Sequence, residues 1–231
     1  MRCAHPHYTL DLGFKENGKR NLKFIGFRAD LSSLKQLEAR YGDCNIVPLP
    51  CGSCIQCRLN KAKEWAVRCV LESLCHNDNW FLTLTYDDEH LPKDGKLHRE
   101  DIQKFLKRLR KRCGSFRYFG CGEYGRSKRP HFHLILFGLK LSVHFNPFKK
   151  TKSKDIDAVW PFGLYDIGEV SYASCNYVAQ YSCKKVFDAS KDGEFLMAST
   201  NPGIGADWCK EHIRKIFDYD AVYGAFGSTK V

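Results

Sequence analysis

No stretch of the chain reaches the roughly 18 consecutive apolar residues that a membrane-crossing helix needs. The first residues, Met1-Arg2-Cys3-Ala4-His5-Pro6, contain no apolar core of a secretory signal, so a cytoplasmic protein is expected. There are no internal repeats, and no Gly-x-x-x-x-Gly-Lys-Ser/Thr loop, so no ATP-driven motor is expected within these residues. Negative charge is in short supply: 26 Asp and Glu stand against 37 Lys and Arg, a formal net charge of +11. A surplus of this size points to a polyanionic partner, nucleic acid first among them. General disorder is excluded by a hydrophobic fraction of 43%, and 231 residues suffice for a full core in one domain with an appendage.

Cysteine, by contrast, is plentiful, with 12 residues. Without a signal segment they are expected as reduced thiols or metal ligands rather than disulfides. Cys69, Cys75, Cys113, Cys121 and Cys175 stand singly among apolar residues and read as buried free thiols. Cys51, Cys54 and Cys57 are different: intervals of three let thiolates grip one Zn²⁺, with Gly52 easing the turn. A structural zinc site wants a fourth ligand, and Cys3, Cys44, His5 and His7 are the candidates, in that order.

Residues 1–58 read as an irregular region carrying this knuckle, with one short helix at Leu31–Tyr41. A core at 59–190 and a C-terminal turn, helix and frayed tail at 191–231 follow. Spacings of three and four from Leu59 through Ala62, Ala66, Cys69 and Val70 mark a helix. Trp80–Tyr86 alternates as a strand and ends at Asp87-Asp88-Glu89, a solvated turn. A helix over roughly 99–112 buries Ile102, Phe105, Leu106 and Leu109. Its outer face carries Lys104, Lys107, Arg108 and Lys111, which suits a nucleic-acid backbone. Residues 139–163 read as a loop-rich insertion with a basic patch that includes Lys149 and Lys150, and 164–171 as a fourth strand.

The chemistry concentrates between Phe116 and Gly138. His131-Phe132-His133 opens an apolar run bounded by Pro130 and Gly138, hence a strand. Alternation puts both imidazoles on one face, about 7 Å apart at the backbone, while Phe132, Leu134 and Leu136 turn to the buried face. If Phe116–Tyr124 pairs with this strand as a hairpin, Glu123 reaches the same place. Two nitrogens and one oxygen with open positions suit a divalent cation acting on phosphate. Further on, Tyr177 and Tyr181 lie four apart on a helix, with Lys184 and Lys185 one turn later.

In order, Phe-Leu-Thr-Leu-Thr, then Glu123…His131-Phe132-His133, then Tyr177-x-x-x-Tyr181-x-x-Lys184 resembles the HUH endonucleases with paired tyrosines. Four further stretches narrow the likeness: Cys3; Cys51–Arg58 leading into Lys63-Glu64-Trp65; Gly122–Gly125 with Arg129-Pro130; and Asn201-Pro202-Gly203-Ile204-Gly205. Together they resemble the replication initiators of microviruses, particularly the gokushovirus group. One departure is Gln180, where relatives often carry a basic residue between the tyrosines. The resemblance implies an α+β fold with a central antiparallel sheet flanked by helices. It implies Mg²⁺ or Mn²⁺ on Glu123, His131 and His133, with Tyr177 and Tyr181 as nucleophiles and Lys184 assisting. The implied substrate is single-stranded viral origin DNA in a bacterial host, with a host polymerase and helicase as partners. Two other readings of the residues are a non-catalytic zinc-containing DNA-binding protein and a metal hydrolase that activates water.

Overall fold

The computed structural model describes residues 3–27, 35–36, 39, 45–125, 127–146, 149–184, 194–219, 221–224 and 227–230. Two compact units divide the chain, residues 1–61 and 62–231.

The first unit corrects an expectation. Far from irregular, it contains a three-stranded antiparallel sheet of β1 (His7–Phe14), β2 (Arg20–Phe27) and β3 (Asn45–Leu49), in the order β2-β1-β3. The glycines that suggested irregularity sit at its bends. Gly13 and Gly18 take positive φ at the β1–β2 turn, a conformation that glycine enters without steric cost. The helix expected at Leu31–Tyr41 lies outside the described residues apart from positions 35–36 and 39.

Helix α1 (Ile55–Ser73) leads into the second unit. Its core is an antiparallel sheet of β4 (Asn79–Tyr86), β5 (Arg117–Tyr124), β6 (Pro130–Phe137), β9 (Gly163–Glu169) and β10 (Phe195–Ala198). The order is β10-β5-β6-β4-β9. The intervening β7 (Val143–Asn146) and β8 (Lys149–Ser153) form a separate two-stranded sheet, so the stretch read as a loop-rich insertion is partly a hairpin. Helix α2 (Arg99–Cys113) and the short α3 (Lys154–Asp157) precede and follow parts of this sheet in the chain. Helices α4 (Tyr172–Lys184) and α5 (Ala206–Tyr219) complete the helices described. The tail expected to fray instead pairs β11 (Ala221–Gly224) with β12 (Gly227–Lys230).

Period-two alternation sorts the sheet's residues into two layers. On one face Leu82, Leu84, Phe132, Leu134 and Leu136 pack with Ile102, Phe105, Leu106 and Leu109 of α2. On the other, Phe119, Cys121, Ile135 and Phe137 meet Ala66 and Cys69 of α1 and Cys175, Val178 and Ala179 of α4. Small residues at these helix positions let α1 and α4 lie close to the strands. Gly120 serves the same end on β5, where an added Cβ would fall 2.4 Å from Leu134 and 2.7 Å from the His133 carbonyl. Cys69, Cys121 and Cys175 are buried as expected, but Cys75 is exposed and Cys113 only partly covered. Cys75 follows the last turn of α1, beyond the stripe that the sheet covers.

The Asn201–Gly205 turn is clamped from below. Buried Glu72 of α1 accepts from the Gly205 backbone N–H at 2.7 Å and pairs with Arg117 and, at 3.1 Å, with His76. Arg117 also donates to the Pro202 carbonyl at 2.7 Å, and Arg68 to that of Ile204 at 3.1 Å. The clamp fastens the turn across α1 and β5, the two elements that carry Glu72 and Arg117.

Candidate active site and cysteine cluster

The central strands set the site by register. β5 pairs with β6 so that Glu123 lies opposite His131 and Cys121 opposite His133. On the other side β4 places Thr85 opposite His131 and Thr83 opposite His133. Four side chains thus form two adjacent rows on one sheet face, and α4 lies over them.

Glu123 is the hub. Its Oε1 is 2.8 Å from His133 Nε2 and accepts from the Tyr177 hydroxyl at 3.2 Å. Both Glu123 and His133 are buried. The other ring nitrogen of His133, Nδ1, is 3.0 Å from Thr83 Oγ1, so the ring is held at both ends. Phe81 lies parallel to that ring at 5.9 Å. Tyr177 meets the His133 ring edge-on at 5.1 Å, Tyr181 stacks on it at 6.1 Å, and the two phenols are 5.3 Å apart. The four-residue spacing in α4 therefore does what it predicts, presenting two hydroxyl-bearing rings to one imidazole. The surrounding cavity is about 420 Å³, lined by Thr83, Thr85, Glu123, Tyr124, Gly125, His131, His133, Tyr177 and Tyr181.

His131 stands apart from this knot, its ring centroid 6.0 Å from that of His133. It packs so closely on Gly125 that a Cβ there would lie 2.2 Å from Nε2. Its Nδ1 is buried without a hydrogen-bond partner among the described residues. Burial first, and then the neighbouring His133, holds the His131 imidazole below the usual histidine range. A neutral ring with an unspent buried nitrogen is the form in which histidine binds a metal. The 2.8 Å between the Glu123 oxygen and the His133 nitrogen is also a separation that two ligands of one cation adopt. The donor set fits a divalent ion, with His131 the least engaged of the three.

Burial raises the Tyr177 hydroxyl above the usual tyrosine range. It raises Tyr181 further, with the bond to Glu123 adding to the effect. Both phenols are thus fully protonated at neutral pH. The backbone of Lys184 ends α4; its side chain, and all of Lys185, lie outside the described residues. Of the basic positions singled out, Lys104, Lys107 and Lys111 are exposed on the outer face of α2. Arg108 stacks over the Phe162 ring at 5.4 Å. Lys149 and Lys150 belong to β8, with side chains outside the description. Thr83, Thr85, Phe81 and Gly125 were missed from sequence. For the first three the signal was present in the alternation of β4, which points 81, 83 and 85 to one face. Gly125 carries no such local mark.

The first unit holds a different cluster. Cys3, Cys51, Cys54 and Cys57 bring their sulfurs within 4.8 Å of one another, the one group of three or more such ligand atoms among the described residues to do so. The Cys3–Cys54 and Cys51–Cys57 sulfur pairs are 3.7 and 3.9 Å apart. The Ser53 hydroxyl and the backbone N–H of Cys54 hold the Cys51 thiol down at about 5, while burial pushes Cys57 up to about 12. This cluster could bind a metal such as zinc. Of the candidates for the fourth position, Cys3 occupies it.

Comparisons with known proteins agree with this picture. The family model of the replication-associated protein ORF2 matches residues 79–186, a span holding the sheet's central strands and α4. Replication-associated protein ORF2 of Spiroplasma virus 4 is 37% identical over 197 residues, 75% of this chain and 61% of that protein. Replication-associated protein VP4 of Bdellovibrio phage phiMH2K is 34% identical over 194 residues, 73% and 59% of the two chains. ORF4 of Chlamydia phage 1, also called replication-associated, is 31% identical over 190 residues, 73% and 47%. The chain thus spans about three fifths of the length of the first two. No solved structure matches it.

Proposed function

The chain belongs to the ORF2 family of replication-associated proteins, and on that premise we propose that it initiates rolling-circle replication by nicking and rejoining single-stranded viral origin DNA through a phosphotyrosine intermediate. One observation carries the reading: the Tyr177 hydroxyl is hydrogen-bonded to the same Glu123 oxygen that meets His133. A nucleophile, an acidic group and an imidazole converge in an open cavity.

Chemically, the Tyr177 oxygen forms a bond to the scissile phosphorus and the bond from phosphorus to the 3′ oxygen breaks. The phenol proton passes to the Glu123 carboxylate that already accepts it, and the departing 3′ oxygen takes a proton from water. Thr83 and Phe81 keep the His133 ring fixed while this happens, so little reorganisation accompanies attack. Tyr181, on the same imidazole, repeats the cut after one round, and the first phosphotyrosine bond is then exchanged for the new 3′-hydroxyl to close the circle. Mg²⁺ or Mn²⁺, held by Glu123, His131 and His133, would supply withdrawal of charge from the phosphate oxygens. Lys184 would stabilise the developing phenolate. The freed 3′-hydroxyl primes a host polymerase in the bacterial cytoplasm, and strand separation falls to a host helicase.

The cysteine cluster supports Zn²⁺ as a structural ion. In a tetrahedral site with bonds of about 2.3 Å, sulfurs stand about 3.8 Å apart, and the two measured pairs bracket that value. The same cluster favours one rival, a non-catalytic zinc-containing DNA-binding protein.

Incubation with single-stranded oligonucleotides tiled across the origin, with Mn²⁺ or EDTA, separates the two. The expected result is a metal-dependent covalent adduct that Tyr177→Phe and Tyr181→Phe each reduce and the double substitution abolishes. Tight binding with no adduct on any oligonucleotide would leave the non-catalytic reading standing.

A further inference from the structure

We propose that the open face of the β1–β2 hairpin is a stacking platform for single-stranded nucleic acid, formed by residues outside the cleft. Its choice of ligand rests on the function proposed above. In β2, alternation puts Arg20, Leu22 and Phe24 on one face, at steps of about 7 Å, close to the step between bases of an extended strand. The β1 register adds Phe14 opposite Arg20 and places Thr9 opposite Phe24. Phe14 is 69% exposed, Phe24 50% and Leu22 41%. The opposite face is covered, since Leu10 is only 1% exposed.

Three large apolar side chains in one exposed row are costly in water, and the row's polar groups show what it is suited to meet. The Asp11 carboxylate is covered and paired with Arg20, and the Thr9 hydroxyl donates to the Val47 carbonyl at 3.0 Å. No carboxylate is therefore turned outward from this row. The Arg20 guanidinium lies 5.3 Å over the Phe14 ring, and the His7 ring meets Phe24 edge-on at 6.0 Å. Lys15 and Lys19 stand exposed at the hairpin bend. Aromatic faces beside cations are the pattern that binds single strands without sequence preference: bases stack on the rings and phosphates meet the charges. A second copy of the same basic hairpin would be repelled, whereas a polyanion is attracted.

Fluorescence anisotropy of the full chain with a labelled oligothymidine of about 20 nucleotides, longer than one single-strand site, tests the platform. Phe14→Ser with Phe24→Ser is expected to weaken binding at least about tenfold at fixed salt, with an unchanged unfolding midpoint. Phe14→Trp with Phe24→Trp is expected to restore it. Binding by the serine variant within twofold of wild type would overturn the inference. So would sedimentation showing a wild-type dimer that the serine variant dissolves while affinity holds. Adduct formation at saturating oligonucleotide, measured on the same proteins, reads the cleft separately. Platform-dependent binding without any adduct would remove the proposed function and keep the platform; adduct formation with serine-variant binding at the wild-type level would do the reverse.

Discussion

Glu123 shows how much one residue's role depends on neighbours that the sequence sets far away. Its oxygen serves His133, ten positions on, and Tyr177, another 44 beyond that. Gly125 shows the same at its sharpest, because the His131 ring occupies the space where a side chain would be. Gly125→Ala should push that ring aside by about an ångström or more and lower the rate of adduct formation by roughly 100-fold. Because the displaced ring borders an open cavity, the urea unfolding midpoint should barely move. Single-turnover nicking and an unfolding curve on the same sample check both halves. The histidines, Glu123 and the tyrosines were legible because each obeys a local period, two residues on a strand or four on a helix. Gly125 was not, since its constraint comes from the facing strand of a hairpin and leaves no periodic trace.

At the scale of elements, the basic helix α2 divides its labour as its sequence suggests. Ile102, Phe105, Leu106 and Leu109 are buried, while Lys104, Lys107 and Lys111 face water. Its last turn is tied down by one acidic group that the sequence did not single out. Asp155 accepts from the Ser142 backbone N–H at 2.9 Å and from Arg112 at 2.8 Å. The Ser142 N–H first, and Arg112 after it, hold the Asp155 carboxyl below the usual range. With the folded value depressed, the unfolded chain binds more protons at this site in the interval between the two values. The site's contribution to stability is therefore complete above the ordinary aspartate value of about 4 and is lost as pH falls through the folded one. Asp155→Asn should flatten the acid side of a urea-midpoint profile between about pH 5 and 2.5. The effect should be modest, because Arg112 is half exposed and the pair is screened. Salt should narrow the difference between the two proteins.

On the scale of the whole molecule, the two units call for different sources of stability. The second buries a sheet between helices on both faces. The first has about 60 residues and a half-exposed apolar hairpin, a size at which domains commonly need a staple. If the four thiols hold zinc, the purified protein carries one equivalent by mass spectrometry. Cys57→Ser or a strong chelator should then remove it. Hydrogen exchange should lose protection in β1–β3 while β4–β6 stay protected. Metal-free protein with β1–β3 equally protected would count against a structural ion. What the sequence by itself determined was every feature carried by a short period: the buried and open faces of β4, β6 and α2, the paired imidazoles, the paired phenols and the three-residue thiol spacing. Tertiary structure alone decided which of these meet. It supplied the partner of the Cys51–Cys57 knuckle from 48 residues away and chose Cys3. It set Thr83 behind His133, and it closed Gly125 against His131. The reason is physical: a period records which way a side chain faces, whereas a contact between distant segments depends on strand register and helix docking, fixed when the whole core packs.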